Sequence, residues 1–321
     1  MTVRVSAGAR LHFGFVNLSL SHDRLYGSVG VSLQEPRVTV EATPAEEVVA
    51  DPDVRSTVER VVSTLDVPGA RVEVTDRYRR HVGLGGGTQR ALTVLAAVAG
   101  AYDRDPDVRS HAPALGRGGR SGVGVASFEE GGFVLDDGHP VERFTTEPPE
   151  MGDWTVPRVA ARHEIPPDWR FLLVVPAGSR GRHGSEEEAS MRATVERADP
   201  ALGDRIAGLV LRRLLPAVTA GDVSAFGSAV ADFGRLNGRW YAAEQGGLYR
   251  PPVGDVVDAL SRSPAIEGAG QSSWGPTVYG VTDEAHAEEA ERVGRDALDA
   301  AGLEGTVSIV RGRNDGATVE L

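Results

Sequence analysis

The chain has 321 residues, with 34 basic side chains against 46 acidic ones, a formal net charge of −12, no cysteine and no lysine, so every basic side chain other than histidine is arginine. Disulfides, iron–sulfur clusters, thiolate metal sites and cysteine nucleophiles are excluded, as are Schiff-base lysines, the Walker lysine and the catalytic lysine of a metabolite kinase. The acidic balance argues against a nucleic-acid partner, whose phosphates want a basic face, and leaves arginine, helix amino termini or a metal to hold any anion. The same composition fits both work in high salt and a GC-rich codon bias. The length allows two cores of ordinary size. MTVRVSAGARLHFG offers no apolar run for a signal peptide or a membrane span, so a soluble, cytoplasmic protein with no membrane partner is expected.

Alternating Val3, Val5 and Ala7 predict a strand leading into ARLHFGFVNL, and residues 37–42 (RVTVEA) repeat the period of two. Val54, Val58, Val61, Val62 and Leu65 at helical spacing predict a helix over 53–66, followed by a strand over 71–75. A helix should begin after the glycine run 85–87, with Thr88 as its cap and ALTVLAAVAGA as its body. Proline, acid and histidine accumulate between 137 and 168, which places the domain junction there, with one domain over 1–150 and a second over 160–321. In the second half, RFLLVV (170–175) reads as a buried strand ending at Pro176. Helices follow over 185–197, 201–219, 222–242 and 253–263, then a strand over 276–281, a helix over 284–301 and a strand over 306–311. Strands and helices in this order predict an α+β fold.

Four stretches can carry chemistry. In VGLGGGTQ, four glycines in five residues precede a helix, so inward-turned amides and the helix dipole can hold a diphosphate without lysine, and the Thr88 hydroxyl can reach a magnesium ion. In GRGGRSGVGVASFEEGGFVLDDG, Arg117 and Arg120 flank glycines beside Ser121 and can wrap a phosphate or remain solvated. There FVLD leading into Asp136 and Asp137 reads as a strand ending in a turn. GAGQSSWGPTVYG offers Gln271, Ser272, Ser273 and the Trp274 indole, suited to a planar aromatic or to a core turn. RLHFGFVNL contains His12, an imidazole that can act as acid, base or ligand or be structural. GSRGRHGSEEE adds Arg180, Arg182, His183 and Glu186 before a helix that Ser185 can cap.

Taken in order, ARLHFGFVNL, GLGGGTQ, GRGGRSGVGVASFEEGGFVLDDG, VPAGSRGRHGSEEE and GAGQSSWGPTVYG resemble the β-ribofuranosylaminobenzene 5′-phosphate synthases, a branch of the GHMP kinase superfamily, over nearly the whole chain. The resemblance implies two domains, each a mainly antiparallel sheet packed with helices, with the phosphate loop 83–88 between them. It implies a decarboxylating glycosyl transfer from 5-phosphoribosyl 1-diphosphate to 4-aminobenzoate or 4-hydroxybenzoate, in the making of methanopterin-type cofactors. Gly83, Gly85, Gly86, Gly87, Thr88 and Gln89 with Mg2+ would hold diphosphate, Arg117, Arg120 and Ser121 would add contacts, and Gln271, Ser272, Ser273 and Trp274 would line the arene slot. His12 and Glu129 are the catalytic candidates, and a homodimer is plausible from the family. Kinases of this superfamily commonly use an aspartate and a lysine. The corresponding stretch here has Val125 and Ala126, so an ATP-dependent kinase is the alternative with Glu129 as substitute base, and a non-catalytic phosphate-ligand-binding relative is a third reading.

Overall fold

The computed structural model describes residues 1–178, 181 and 184–320. Its frame is one long antiparallel pair, β1 (Val3–Asn17) and β2 (Arg24–Pro44), whose register is interrupted between Gly8 and Arg10 and again between His12 and Gly14. Such bulges re-aim side chains and bend a strand. After β3 (Val49–Ala50) comes α1 (Pro52–Leu65), with Pro52 in its first turn and Val54, Val58, Val61 and Leu65 facing inward. Then follow β4 (Ala70–Asp76), α2 (Gly86–Ala101), α3 (Val108–His111), α4 (Val123–Glu129), β5 (Phe133–Asp136), β6 (His139–Pro140) and β7 (Val159–His163). β5 ends in a turn with Gly138 at φ +66, as its sequence suggested.

The second half opens with β8 (Trp169–Pro176), α5 (Gly184–Glu196) and α6 (Pro200–Leu209), the last capped by Asp199 through the Ala201 amide at 3.0 Å. The single helix expected over 201–219 is instead α6, a wider π turn at Val210–Leu214 and α7 (Leu215–Ala220). Pro216 explains the break, because it lacks an amide hydrogen and its ring crowds the carbonyl one turn earlier. The remainder is α8 (Val223–Gln245), α9 (Val253–Leu260), β9 (Gly268–Gln271), β10 (Val278–Asp283), α10 (Ala287–Ala300), β11 (Gly305–Arg311) and β12 (Thr318–Glu320). Arg180, Arg182 and His183 lie outside the described residues, and among the described residues no helix is long and apolar enough to cross a membrane.

Two mostly antiparallel sheets result: an eight-stranded one from β1 to β7 with β12, and a four-stranded one in the order β11-β8-β10-β9. The first sheet extends to His163, and β12 returns from the end of the chain to pair with Arg4–Ser6 of β1. The two halves share a core: Phe13 of β1 meets Phe226 of α8 at 6.1 Å and Tyr279 of β10 at 5.1 Å. A second core packs α1 and α2 on the first sheet, and a third packs α9 and α10 on the second.

Candidate active site

The glycine loop is assembled from both halves. Gly85, at φ +76, precedes the first turn of α2, and no side chain caps the helix. Thr88 is therefore not the cap that the sequence suggested. Three glycines let the helix start early and carry Thr88 into its first turn, where it faces a cavity. The Gly83 carbonyl accepts from Arg10 Nη1 at 3.0 Å and from Ser272 Oγ at 2.8 Å. Ser272 Oγ also accepts from the His12 amide at 3.1 Å, and the His12 carbonyl accepts from the Ser273 amide at 3.0 Å. Thr277 Oγ1 donates to the Val82 carbonyl at 2.6 Å. A Cβ on Gly83 would stand 2.4 Å from the Ser272 carbonyl oxygen, so this approach requires glycine.

Beside this seam lie two adjoining cavities of about 310 and 290 Å³, both lined by Arg10, Thr88, Arg117, Glu187, Ser273 and Trp274. Gly83, Gly85, Gly86 and Gly87 line one, and Arg120 and Ser121 the other. Together the walls carry six arginines (10, 79, 80, 90, 117 and 120) against Glu187 and Glu188, so an acidic protein concentrates positive charge here. A smaller apolar slot adjoins them, lined by His12, Phe15, Tyr241, Gln271, Ser273 and Trp274, with the Tyr241 and Trp274 rings edge to face at 4.8 Å.

The bulge at His12–Gly14 sets the slot's floor. Gly14, at φ +150, leaves room for Asn237 of α8, whose Oδ1 accepts from the Phe15 amide at 2.7 Å and whose Nδ2 donates to the Phe15 carbonyl at 3.1 Å. His12 is buried against Phe15, and its Nδ1 has no partner. Burial, and secondarily the nearby Arg10, push its pKa down to about 3, so the imidazole is neutral and can accept a hydrogen bond.

Several expected residues stand elsewhere. Glu129 lies at the far end of α4 and is engaged by Arg109 Nη2 at 2.5 Å and Nε at 3.1 Å, outside the walls of these cavities. Gln89 is fully buried and donates to the Gly124 carbonyl at 2.8 Å, tying α2 to α4 instead of facing the cleft. Ser272 is equally buried and acts in the seam. Gln271 accepts from the Arg250 amide at 2.9 Å and donates to the Ser273 carbonyl at 3.0 Å, which fixes the loop beside the slot.

Arg120 faces the cleft but is held by Glu187 at 2.7 Å and Glu188 at 2.6 Å, both from α5. The Ser121 hydroxyl is hydrogen-bonded to that of Ser28 at 2.6 Å. Asp136 lies behind it, buried and accepting from the Ser28 hydroxyl and from the Ser28, Gly122 and Gly138 amides. Burial raises its pKa to about 6 against those four donors, which keeps it ionised at neutral pH. Arg10, Glu187 and Glu188 were not singled out by sequence. Arg10 was legible only as the residue two before His12, on the same face of an alternating strand.

This fold, with a glycine loop opening a helix between two sheets, is that of the GHMP kinases, and residues 214–300 match the family model "GHMP kinases C terminal". Solved structures share the fold: galactokinase from Lactococcus lactis complexed with galactose aligns with a TM-score of 0.73 at 10% identity, covering 99% of this chain and 95% of that one. Homoserine kinase from Cytophaga hutchinsonii aligns at 0.67 with 16% identity, covering 99% and 97%. Two curated relatives, from Methanothermobacter thermautotrophicus and Archaeoglobus fulgidus, are each 32% identical and are named β-ribofuranosylphenol 5′-phosphate synthase. The alignments cover 98% of this chain and 97% of the first relative, and 99% and 100% for the second. The chain belongs to this synthase family within the GHMP kinase superfamily.

Proposed function

We propose that the protein joins C1 of 5-phosphoribosyl 1-diphosphate to the ring of 4-hydroxybenzoate or 4-aminobenzoate and releases diphosphate and carbon dioxide. The carrying observation is that an aromatic slot and a lysine-free anion cradle share Ser273 and Trp274. The phenol in the relatives' name favours 4-hydroxybenzoate, since its ring keeps a hydroxyl when the carboxylate is lost.

In the reaction, the bond from C1 to the diphosphate oxygen breaks with its electron pair leaving on diphosphate. The ring carbon bearing the carboxylate bonds to C1. Carbon dioxide then departs, and the pair from its carbon–carbon bond restores aromaticity. No proton is lost from the ring, so the transfer needs no carboxylate base at that carbon, which agrees with Glu129 standing apart. The arginines stabilise the charge developing on the leaving group, while Phe15, Tyr241 and Trp274 keep the arene dry. Neutral His12 can accept from the phenol hydroxyl at Nδ1 and raise the ring's electron density. Magnesium would be held by Thr88 and Glu187, which line the same cavity, and would supply further charge neutralisation to diphosphate oxygens.

A kinase reading lacks its dyad: the chain has no lysine, and Val125 and Ala126 are buried apolar residues of α4. The test is to supply carboxyl-labelled 4-hydroxybenzoate, 5-phosphoribosyl 1-diphosphate and magnesium in molar salt. Labelled carbon dioxide and diphosphate in equal amounts are expected. Absence of both, with ATP consumed on a small alcohol, would overturn the proposal.

A further inference from the structure

A third cavity, of about 320 Å³, opens behind Arg117 between the first turns of α1 and α2. Arg60, Arg80, Arg90 and Arg117 line it, with Ser56 supplying a hydroxyl. Asp53 is the one carboxylate on its wall, and it is already shared by Arg77 at 3.0 Å and Arg90 at 3.9 Å. The Nε atoms of Arg90 and Arg117 are both buried without a hydrogen-bond partner. Burial first, then repulsion from Arg90, Arg60 and Arg80, only partly offset by Glu187, lowers the pKa of Arg117 to about 10. Arg60 and Arg80 are exposed, so the cost of this convergence falls on Arg90 and Arg117, whose buried Nε atoms a ligand anion would satisfy.

Arg80, Arg90 and Arg117 also line the glycine-loop cavity, so the two spaces form one site with two lobes. Gly87 permits the join, since a Cβ there would approach Arg117 Nη1 to 3.3 Å. We propose that this pocket is a second phosphate subsite, and that it takes the 5-phosphate of the phosphoribosyl substrate while the glycine loop takes the diphosphate. The identity of that ligand rests on the function proposed above; the presence of a phosphate monoester subsite does not.

The test is calorimetric titration of the wild type and the R60Q/S56A double variant, whose two side chains line this pocket and not the glycine-loop cavity, with ribose 5-phosphate and, separately, with inorganic diphosphate. The expected result is that the variant binds ribose 5-phosphate at least fivefold more weakly, keeps diphosphate affinity within about twofold and unfolds at an unchanged temperature. Unchanged ribose 5-phosphate affinity overturns the subsite. Equal loss of both ligands, or loss of diphosphate alone, overturns the division into lobes. Should the double variant not fold, R60Q alone, at an exposed side chain, is expected to show the same selective loss at smaller size, and no selective loss counts against the proposal. If the function proposed above is wrong, the wild type releases no carbon dioxide in the labelled assay, yet ribose 5-phosphate still binds in an R60Q/S56A-sensitive manner. The two failures are thus separately visible.

Discussion

The seam between the glycine loop and the loop 271–277 and the arginine rim beside it are neighbours built on opposite terms. In the seam, neutral groups from distant parts of the chain satisfy one another: Gly83, His12, Ser272, Ser273, Val82 and Thr277 all exchange hydrogen bonds. On the rim, Arg117 and Arg90 keep buried Nε atoms without partners. In the seam the backbone and hydroxyl groups are paired by folding alone, whereas Arg90 and Arg117 on the rim keep buried donors that an anion would satisfy. Removing a seam group should therefore harm stability and activity together, and removing a rim group should harm binding while sparing the fold.

The largest effect is expected for G83A, because its Cβ would collide with the Ser272 carbonyl and φ is +89. A loss of about 3 kcal/mol in denaturant unfolding and nearly complete loss of activity are expected. S272A leaves the Gly83 carbonyl and the His12 amide each short of a partner and should cost about 1–2 kcal/mol by the same measurement.

R117M sharpens the contrast. Its KM for 5-phosphoribosyl 1-diphosphate should rise about 10- to 100-fold, equivalent to about 1.4–2.7 kcal/mol, with no fall in melting temperature. A melting temperature lowered along with the affinity would make Arg117 part of the scaffold.

Acid should loosen the protein through histidines that burial keeps neutral. His12 is depressed to about 3 and His139, stacked on Phe144, to about 4, in each case mainly by burial. Their unfolded counterparts bind protons below about 6.5, so this contribution is complete above pH 6.5 and is lost as pH falls toward those values. Urea midpoints should drop between pH 7.5 and pH 5, and H139Q should flatten that slope. The smallest effect is expected for E129Q: kcat within about twofold and a stability loss below about 1 kcal/mol, since its partner Arg109 is partly solvated.

The periodic elements were legible because each pattern is local: β8 reads as an apolar run, and α1 shows its inward valines at helical spacing. The glycine loop and the Trp274 loop were legible as motifs. What each polar residue in them does was not, because it is decided by partners far along the chain. Ser272 meets His12 across 260 residues and Gly83 across 189, which turns an expected arene contact into part of the seam. Gln89 follows Thr88 by one position, yet the helical turn sends it inward to Gly124. Arg120 reads in the sequence as a phosphate contact or a solvated side chain, while Glu187 and Glu188, 67 and 68 positions later, hold it. Pro216 marks in the sequence the place near which the helical run 201–219 divides.

β12 pairs with Arg4–Ser6 of the strand that also carries Arg10 and His12. β1 thus waits for a partner made some three hundred positions later. That edge of the large sheet stays open until β12 has been synthesised, and a deletion of residues 318–320 should disturb the same β-strand that carries Arg10 and His12.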